Sequence, residues 1–346
     1  MDVSLTTDQL EWQAANARVA DAYEVSAADL IPALDIDRGW SDVITLGIPS
    51  LRSPEHSGVE GTGVETALAV EQSARRLSPL PIAGQAVIAP ELLEAAGASG
   101  TLDAVVEGTF RLAPAFAVDL SDFGTTGGTA VAFDAAGASH ALMLDYKAEQ
   151  PSLAVVALDP YDLDVLDLTR RLVSIGPVSE RIDMDLGGPI SRERLVRARA
   201  VTMSALAADL LGVMEAALTD AVRHAKDRIQ FGVPIGSFQA VQHILADAAV
   251  AVEGARSCVW HAAWSTDRAS VIDALRAART AKAFCSAAGL RVVESTVQVF
   301  GGIAITWEHL SHLRLRRVHL DRECFGNEDV HYEAIGAARL LEGPSA

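Results

Sequence analysis

The stretch RIQFGVPIGSFQAVQH, residues 228–243, lies between two segments whose apolar residues recur every three or four positions, which is the period of an α-helix. Glycine and proline interrupt that period, so the sequence predicts a helix, a rigid turn and a second helix. Arg228 and Phe231 stand at the start of the turn. Two interpretations stay open: either Arg228 caps its helix and Phe231 belongs to the core, or the pair binds a ligand.

Long helical patterns continue on both sides of this turn. They run to about residue 224 before it, and from 237 to 264 and from 268 to 297 after it. Ser191 and Glu193 supply the residue types that start a helix. Several long antiparallel helices predict a bundle.

Two other regions precede the bundle. Residues 1–108 have helical periodicity and end one helix at SPLP, residues 78–81, whereas residues 109–183 contain short apolar runs broken by Gly, Pro and Asp. The sequence therefore predicts an α+β fold that is mainly α. Its parts are an N-terminal helical domain (1–108), a shortened central β-domain (109–183) and a C-terminal four-helix bundle (184–346).

The composition limits the possible partners and compartment. The 346 residues carry 28 Lys and Arg against 46 Asp and Glu, and this net charge of −18 argues against nucleic acid. The three cysteines are odd in number and far apart, which favours reduced, packed thiols. We expect a cytoplasmic protein, because the sequence has no signal-peptide pattern and no uncharged apolar run of about 18 residues for a membrane span.

A second motif, QVFGG at residues 298–302, follows Arg228 by 70 residues. Gln298 can hydrogen-bond, and Gly301 and Gly302 allow the backbone to approach a ligand that a Cβ atom would obstruct. A lone Gly-Gly pair is usually only a turn. Its occurrence together with the arginine turn favours a binding site.

Both motifs, in their wider contexts AKDRIQFGVPIGSFQAVQHILAD (225–247) and VQVFGGIAITWEH (297–309), resemble the acyl-CoA dehydrogenases, as does the order of the three regions. The resemblance covers most of the chain. In that family the arginine turn reaches across a dimer interface to the FAD that the neighbouring subunit holds.

The resemblance implies a role for each motif residue. Arg228 would contact the FAD pyrophosphate and Phe231 the adenine end, while Gly232 and Pro234 keep the turn rigid. This suits their chemistry, since a guanidinium binds phosphate oxygens in pairs and an aromatic face packs on adenine. The family pattern adds Gln298, Gly301 and Gly302 to the cofactor-binding residues.

The chain departs from the family at the catalytic base. These enzymes remove the substrate α-proton with a glutamate at one of two positions, and counting from the two motifs places those positions at Thr202 and Phe325. Neither residue can abstract a proton, so we expect no catalytic base in this chain. The nearest acids in sequence, Glu193, Glu323 and Glu328, are expected to be solvated or capping charges.

A second departure concerns the flavin. Flavin-binding family members carry a Thr-Glu-Pro…Gly-Ser-Asp stretch at the start of the β-domain, whereas this chain reads VEGTFRLAPAFAVDL at residues 106–120. The chain therefore retains the half-site that reaches a neighbour's flavin and lacks the half-site that holds its own.

This pattern resembles the short non-catalytic subunit of the heterotetrameric acyl-CoA dehydrogenases of actinobacterial steroid side-chain degradation. The resemblance implies FAD at the interface with a second subunit that supplies the glutamate, an acyl-CoA substrate, and electron-transfer flavoprotein as a partner. Two alternatives remain: a self-sufficient flavoenzyme with a displaced base, Glu193 first, or a flavin-free scaffold of the same fold.

The segment WEHLSHLRLRRVHL, residues 307–320, holds two further groups. His309, His312 and His319 have spacings that a metal site tolerates, but no cysteine or carboxylate cluster completes one, so no metal is expected. The arginines are expected on a solvated face, on a subunit surface or opposite phosphate charge. They are Arg314, Arg316 and Arg317.

Overall fold

The computed structural model describes residues 4–58, 62–158, 163, 166–177 and 181–342. Its N-terminal region is helical. The helices are α1 (Thr7–Ala22), α2 (Ile36–Leu46), α3 (Pro54–Ser57), α4 (Gly63–Arg75), α5 (Ala89–Ala96) and α6 (Ser99–Val106), with short 3₁₀ segments at Ala28–Ala33 and Ile48–Ser50. A fully buried π-helix, Ile82–Ile88, follows the turn at residues 78–81, where the sequence predicted that a helix stops.

The described residues of the central region form one six-stranded sheet. Its strands are β1 (Leu112–Ala117), β2 (Ala130–Ala132), β3 (His140–Asp145), β4 (Ser152–Ala157), β5 (Val173–Ile175) and β6 (Arg181–Ile182). They lie in the order β5-β2-β1-β3-β4-β6, and every pair is antiparallel except β1 with β3. Strands β1 to β4 are largely buried, and β1 and β4 contact α5 of the N-terminal region.

The C-terminal region contains the longest helices. They are α7 (Arg192–Asp227), α8 (Gln239–Arg268), α9 (Val271–Phe300), α10 (Ser311–Glu323) and α11 (Glu328–Glu342). Helix α9 packs against α7, α8, α10 and α11. The predicted fold class, mainly α with a small β region and a C-terminal helical bundle, is confirmed.

Helix α7 joins the bundle to the N-terminal region. The Ser191 side chain accepts a hydrogen bond from the Arg194 amide at 3.2 Å and starts the helix, as the sequence predicted. In the middle of α7, Gly212 meets α4 so closely that an added Cβ atom would lie 2.3 Å from the Glu71 carbonyl oxygen. The glycine therefore allows two helices from different regions to pack backbone to backbone.

The expected positions of the arginine run and of one cysteine need correction. Arg314 and Arg317 are buried, because their spacing of three puts both on the face of α10 that packs against α7 and α9; only Arg316 is partly exposed. Arg314 pairs with Asp220 of α7. All three cysteines are free thiols, and Cys258 is half-buried rather than buried.

Arg317 belongs to a buried ionic cluster that the sequence analysis did not identify. Its guanidinium binds Asp209 at 2.7 and 2.8 Å, and Arg170 binds Asp209 at 2.7 Å and Asp321 at 3.2 Å. Arg170 also contacts Asp134 and Asp167. Burial raises the pKa of Asp321 well above its usual value, and the neighbouring Asp209 adds to this. The cluster joins the sheet region to α7 and α10.

Among the residues that the structure describes, two stretches, α7 and Val271–Ile305, are long and apolar enough to cross a membrane by length and composition alone. Their apolar windows are 83% and 39% buried within the protein. Both helices pack against other bundle helices, and α7 carries the ion-paired Asp209 at its middle. A core helix of a globular bundle meets the same length and composition criteria.

Candidate functional site

The arginine turn folds as a tight β-hairpin between α7 and α8. Strand β7 (Ile229–Gln230) pairs with strand β8 (Val233–Pro234), and Phe231 and Gly232 form the two-residue turn with φ of 53° and 80°. Positive φ at both central residues defines a type I′ turn, which usually carries Asn-Gly. Phenylalanine is strained there, because its Cβ disfavours left-handed backbone.

Phe231 lies outside the core. Its side chain is 94% exposed, so the interpretation that it is a core residue is wrong. Three more apolar side chains of the hairpin and its flank are exposed to solvent. They are Ile229, Val233 and Phe238. A strained aromatic residue that is held in water at the tip of a hairpin is typical of a contact with another molecule.

Arg228 ends α7 and points into solvent. Its amide donates to the His224 carbonyl at 2.8 Å, and its own carbonyl accepts from the Ile235 amide at 2.8 Å. Among the described residues no carboxylate lies within ion-pair distance of its guanidinium. The capping interpretation therefore holds for the backbone, while the charged group remains available for an anion from outside the chain.

The second motif ends α9. Gly301 has φ 69° and ψ −145°, a conformation that favours glycine, and a Cβ atom there would meet nothing within 4 Å. Gly302 does not have a positive φ, so its backbone conformation does not require glycine. An added Cβ atom there would also meet nothing within 4 Å. Gln298 is exposed on the last turn of α9. Glycine at 302 is thus unexplained by this chain's own packing and fits the approach of a ligand.

The two motifs lie at the same end of the bundle. A small apolar cluster joins the ends of α7, α8 and α9 there. Its members include Ala221, Ala225, Ile235, Val241, Val299 and Phe300. The structure thus brings together segments that are 70 residues apart in sequence, as a shared binding site requires.

Neither expected base position carries an ionisable side chain near solvent. Thr202 is buried in the middle of α7, and its hydroxyl donates to the Ala198 carbonyl at 2.8 Å. Glu193 is exposed in the first turn of the same helix, nine positions away. Glu323 is exposed, and Glu328 is held by Arg322, whose guanidinium approaches its carboxylate at 2.7 Å.

Phe325 closes the junction between the sheet region and the bundle. Its ring packs edge-to-face on Phe116 and Phe123 with 4.9 Å between centroids, and Phe116 stacks on Phe133 at 4.7 Å. We call these four rings the aromatic cluster. The Phe325 amide donates to the Leu120 carbonyl at 2.6 Å. Phe325 thus ties the loop after β1 to the segment after α10.

Lys282 of α9 holds the same segment from the other side and was missed by sequence reasoning. Its ammonium is buried and donates to the carbonyls of Arg322 and Gly326 and to the Ser286 hydroxyl, at 2.8 to 3.0 Å. Burial lowers the pKa of Lys282 to about 8. The sequence signal was a lone lysine on the Ala- and Cys-rich face of a helix.

The three histidines of residues 307–320 have different surroundings. His309 contacts Ser311, His312 stacks on Trp307 with 4.7 Å between centroids, and His319 is exposed. The described residues contain no group of three or more His, Cys, Asp or Glu that could hold a metal ion.

The residues at the end of the bundle fit one side of a flavin dinucleotide. An unpaired guanidinium, an exposed aromatic ring and two unobstructed glycines supply a charge, an apolar face and room for a dinucleotide, but only from one side. The junction around Phe325 does not fit a flavin, because the aromatic cluster and the ionic cluster fill it with side chains.

Comparison with known proteins identifies relatives of the whole chain. Residues 187–340 match the family model for the acyl-CoA dehydrogenase C-terminal domain. Acyl-CoA dehydrogenase IpdE2 of Mycobacterium tuberculosis is 30% identical over 330 residues, which cover 93% of this chain and 90% of that protein.

Solved structures share the fold. The Tcur3481-Tcur3483 steroid ACAD, solved as a variant, aligns with a TM-score of 0.81 at 24% identity, over 98% of this chain and 99% of that one. The ChsE4-ChsE5 complex from Mycobacterium tuberculosis aligns with a TM-score of 0.78 at 22% identity, over all of both chains. At these identities the likeness establishes the architecture.

Proposed function

Since the chain belongs to the acyl-CoA dehydrogenase family, we propose that it is the non-catalytic subunit of a heteromeric, FAD-dependent acyl-CoA dehydrogenase. Its arginine turn and glycine motif contact an FAD that is held mainly by a second, catalytic subunit. Arg228, Phe231, Gln298, Gly301 and Gly302 are the cofactor-binding residues. Bound there, the FAD would accept the hydride when the acyl-CoA is desaturated at its α and β carbons.

The exposed, strained Phe231 beside an unpaired Arg228 carries this proposal. Holding the Phe231 ring in water on a strained backbone costs the chain stability, and a flavin and a partner surface would offset that cost. Two structural neighbours, a steroid ACAD and a two-protein complex, are consistent with a second subunit. We extend the proposal to a heterotetramer in the cytoplasm that acts on a steroid side-chain acyl-CoA and passes electrons to electron-transfer flavoprotein.

The partner supplies the glutamate base in this proposal. The support from this chain is that Thr202 is hydrogen-bonded within its helix and Phe325 is packed among aromatic rings. Glu193, the first candidate for a displaced base, is exposed in the first turn of α7, nine positions before Thr202. These observations disfavour a self-sufficient flavoenzyme.

Purification of the chain alone and with a partner tests the proposal. We expect colourless, inactive protein alone, and a yellow complex with acyl-CoA dehydrogenase activity when a catalytic subunit from the same genome is co-expressed. Mutation of the partner's glutamate should abolish turnover and keep the flavin absorbance. Yellow, active protein from this chain alone would overturn the proposal, and a colourless, stable complex would favour the flavin-free scaffold.

Phe231→Asn should separate stability from function. Asparagine before Gly232 suits a type I′ turn, so we expect the free chain to gain up to about 1 kcal/mol in unfolding free energy. The complex should lose an aromatic anchor and weaken by about 1 to 3 kcal/mol. Urea unfolding and titration with the partner measure the two effects. Leu340→Gln, at a strongly exposed apolar position of α11 and with a similar helix propensity, is the control that should change neither.

A further inference from the structure

The ring of Phe300 lies between two histidines at the end of α9. His224, in the last turn of α7, has its ring centroid 5.0 Å away, and His309, before α10, packs edge-to-face at 4.4 Å. Phe300 is half-buried and directly precedes Gly301. Three separate parts of the chain therefore meet on one aromatic ring.

His224 and Phe300 each lie next to a segment that the proposed function places against the flavin. The His224 carbonyl accepts the hydrogen bond of the Arg228 amide, so His224 sits on the helical turn that leads into the hairpin. Phe300 is the last residue before the backbone changes to the conformation of Gly301. The direction in which Gly301 and Gly302 leave α9 thus depends on where the Phe300 ring is held.

His309 is itself fixed in orientation. Its Nδ1 lies 3.2 Å from the Ser311 amide nitrogen and 2.9 Å from the Ser311 hydroxyl. Because Nδ1 accepts the amide proton, the neutral imidazole carries its own proton on Nε2. Burial lowers the pKa of His309 and of His224, with further lowering by Arg314 and Arg228 respectively. Both histidines are therefore neutral near pH 7 and pack as aromatic rings.

An open polar recess of about 360 Å³ borders these rings. The charged side chains that line it, Asp220, Arg223, Asp227, Glu308 and Arg314, carry both signs. Asp220 pairs with both Arg223 and Arg314. Phe300 also packs on the apolar cluster at the ends of α7, α8 and α9, and beside the polar recess the two imidazoles supply its aromatic contacts.

We propose that His224 and His309 are positioning residues for the cofactor: they clamp Phe300 so that the Arg228 hairpin and the Gly301–Gly302 segment keep one relative arrangement. The inference rests on the proposed function of these segments. Two motifs that bind one dinucleotide must be held at a fixed separation, because any freedom between them is lost on binding and weakens affinity. The shared ring provides that fixed separation.

Amide hydrogen exchange of the full chain without flavin tests the clamp directly. In His224→Ala and in His309→Ala, the amides of both Arg228 and Gly301 should exchange about three- to tenfold faster, the change expected from loss of one aromatic contact. His224→Phe and His309→Phe keep a ring and should restore slow exchange. His319→Ala, an exposed histidine of α10, is the matched control. Unchanged exchange in both alanine variants would overturn the proposal.

The dissociation rate of FAD from the co-expressed complex is the second measurement. It should rise about three- to tenfold in the two alanine variants and return towards the parent value in the phenylalanine variants. If exchange accelerates but FAD leaves at the parent rate, while Arg228→Ala does release FAD, the positioning role is wrong and the proposed function stands. If Arg228→Ala also retains FAD, the proposed function fails and this inference fails with it.

Discussion

Arg228→Ala should remove most of the FAD from the heteromeric complex while the chain itself stays folded. The Arg228 guanidinium is exposed and unpaired within the described residues, so its loss breaks no ion pair inside the chain. A hydrogen bond to a charged group contributes about 1.5 to 3 kcal/mol, which corresponds to roughly ten- to 150-fold weaker FAD binding. Titration of the flavin-free complex with FAD, followed by flavin fluorescence, measures this change.

Two further variants make the result specific. Arg228→Lys should recover only part of the affinity, because an ammonium cannot bind two phosphate oxygens in the fork geometry of a guanidinium. Arg223→Ala removes another exposed arginine near the end of α7, whose ion pair with Asp220 contributes little, and should leave FAD affinity unchanged. Equal FAD affinity in the parent and in Arg228→Ala would exclude Arg228 from the site.

The fold could be predicted because its determinants are local. Helical periodicity persists over long stretches, and the change to short interrupted runs marks the sheet region. The turn at residues 228–238 was predicted as rigid, but its two-residue strands were not, since pairs so short leave no alternation in sequence. The exposure of Phe231 could not be read from sequence either, because one aromatic residue between two helices suits a core equally well.

The buried charges were unpredictable for a different reason. Asp209 sits in an apolar stretch of α7, and its partners Arg170 and Arg317 lie 39 and 108 residues away. Taken alone, each charge is expected at the surface, because burial of an unpaired charge is costly. Only the tertiary arrangement shows that two guanidiniums lie among four carboxylates, one of which, Asp321, has a pKa raised well above its usual value.

The absence of a base at Phe325 was predicted from the spacing of the motifs, whereas the role of its ring was not. The partners Phe116 and Phe123 belong to the sheet region, about 200 residues earlier in the chain. The family resemblance predicted this position as one of two for a base, and the packing of the Phe325 ring argues against placing a glutamate there.

Phe325→Glu should therefore destabilise the chain without creating a dehydrogenase. The substitution removes the edge-to-face contacts with Phe116 and Phe123 and buries a carboxyl group among apolar rings, so we expect a loss of about 3 to 5 kcal/mol in unfolding free energy. Burial raises the pKa of such a carboxyl group in the folded state above its unfolded value. The folded state then binds the extra proton, and the destabilisation should grow as the pH rises from about 4 towards 8.

Phe325→Gln is the matched control, since glutamine has nearly the same shape as glutamate but cannot ionise. Its stability loss should not grow with pH in the way that Phe325→Glu does, and urea unfolding at pH 5 and pH 8 distinguishes the two. Activity gives the second criterion: a base completes no reaction without a hydride acceptor, and the junction around Phe325 is filled by the aromatic and ionic clusters. If Phe325→Glu alone yielded a yellow protein that reduces an electron acceptor with an acyl-CoA, the proposal that the partner subunit holds the flavin would be wrong.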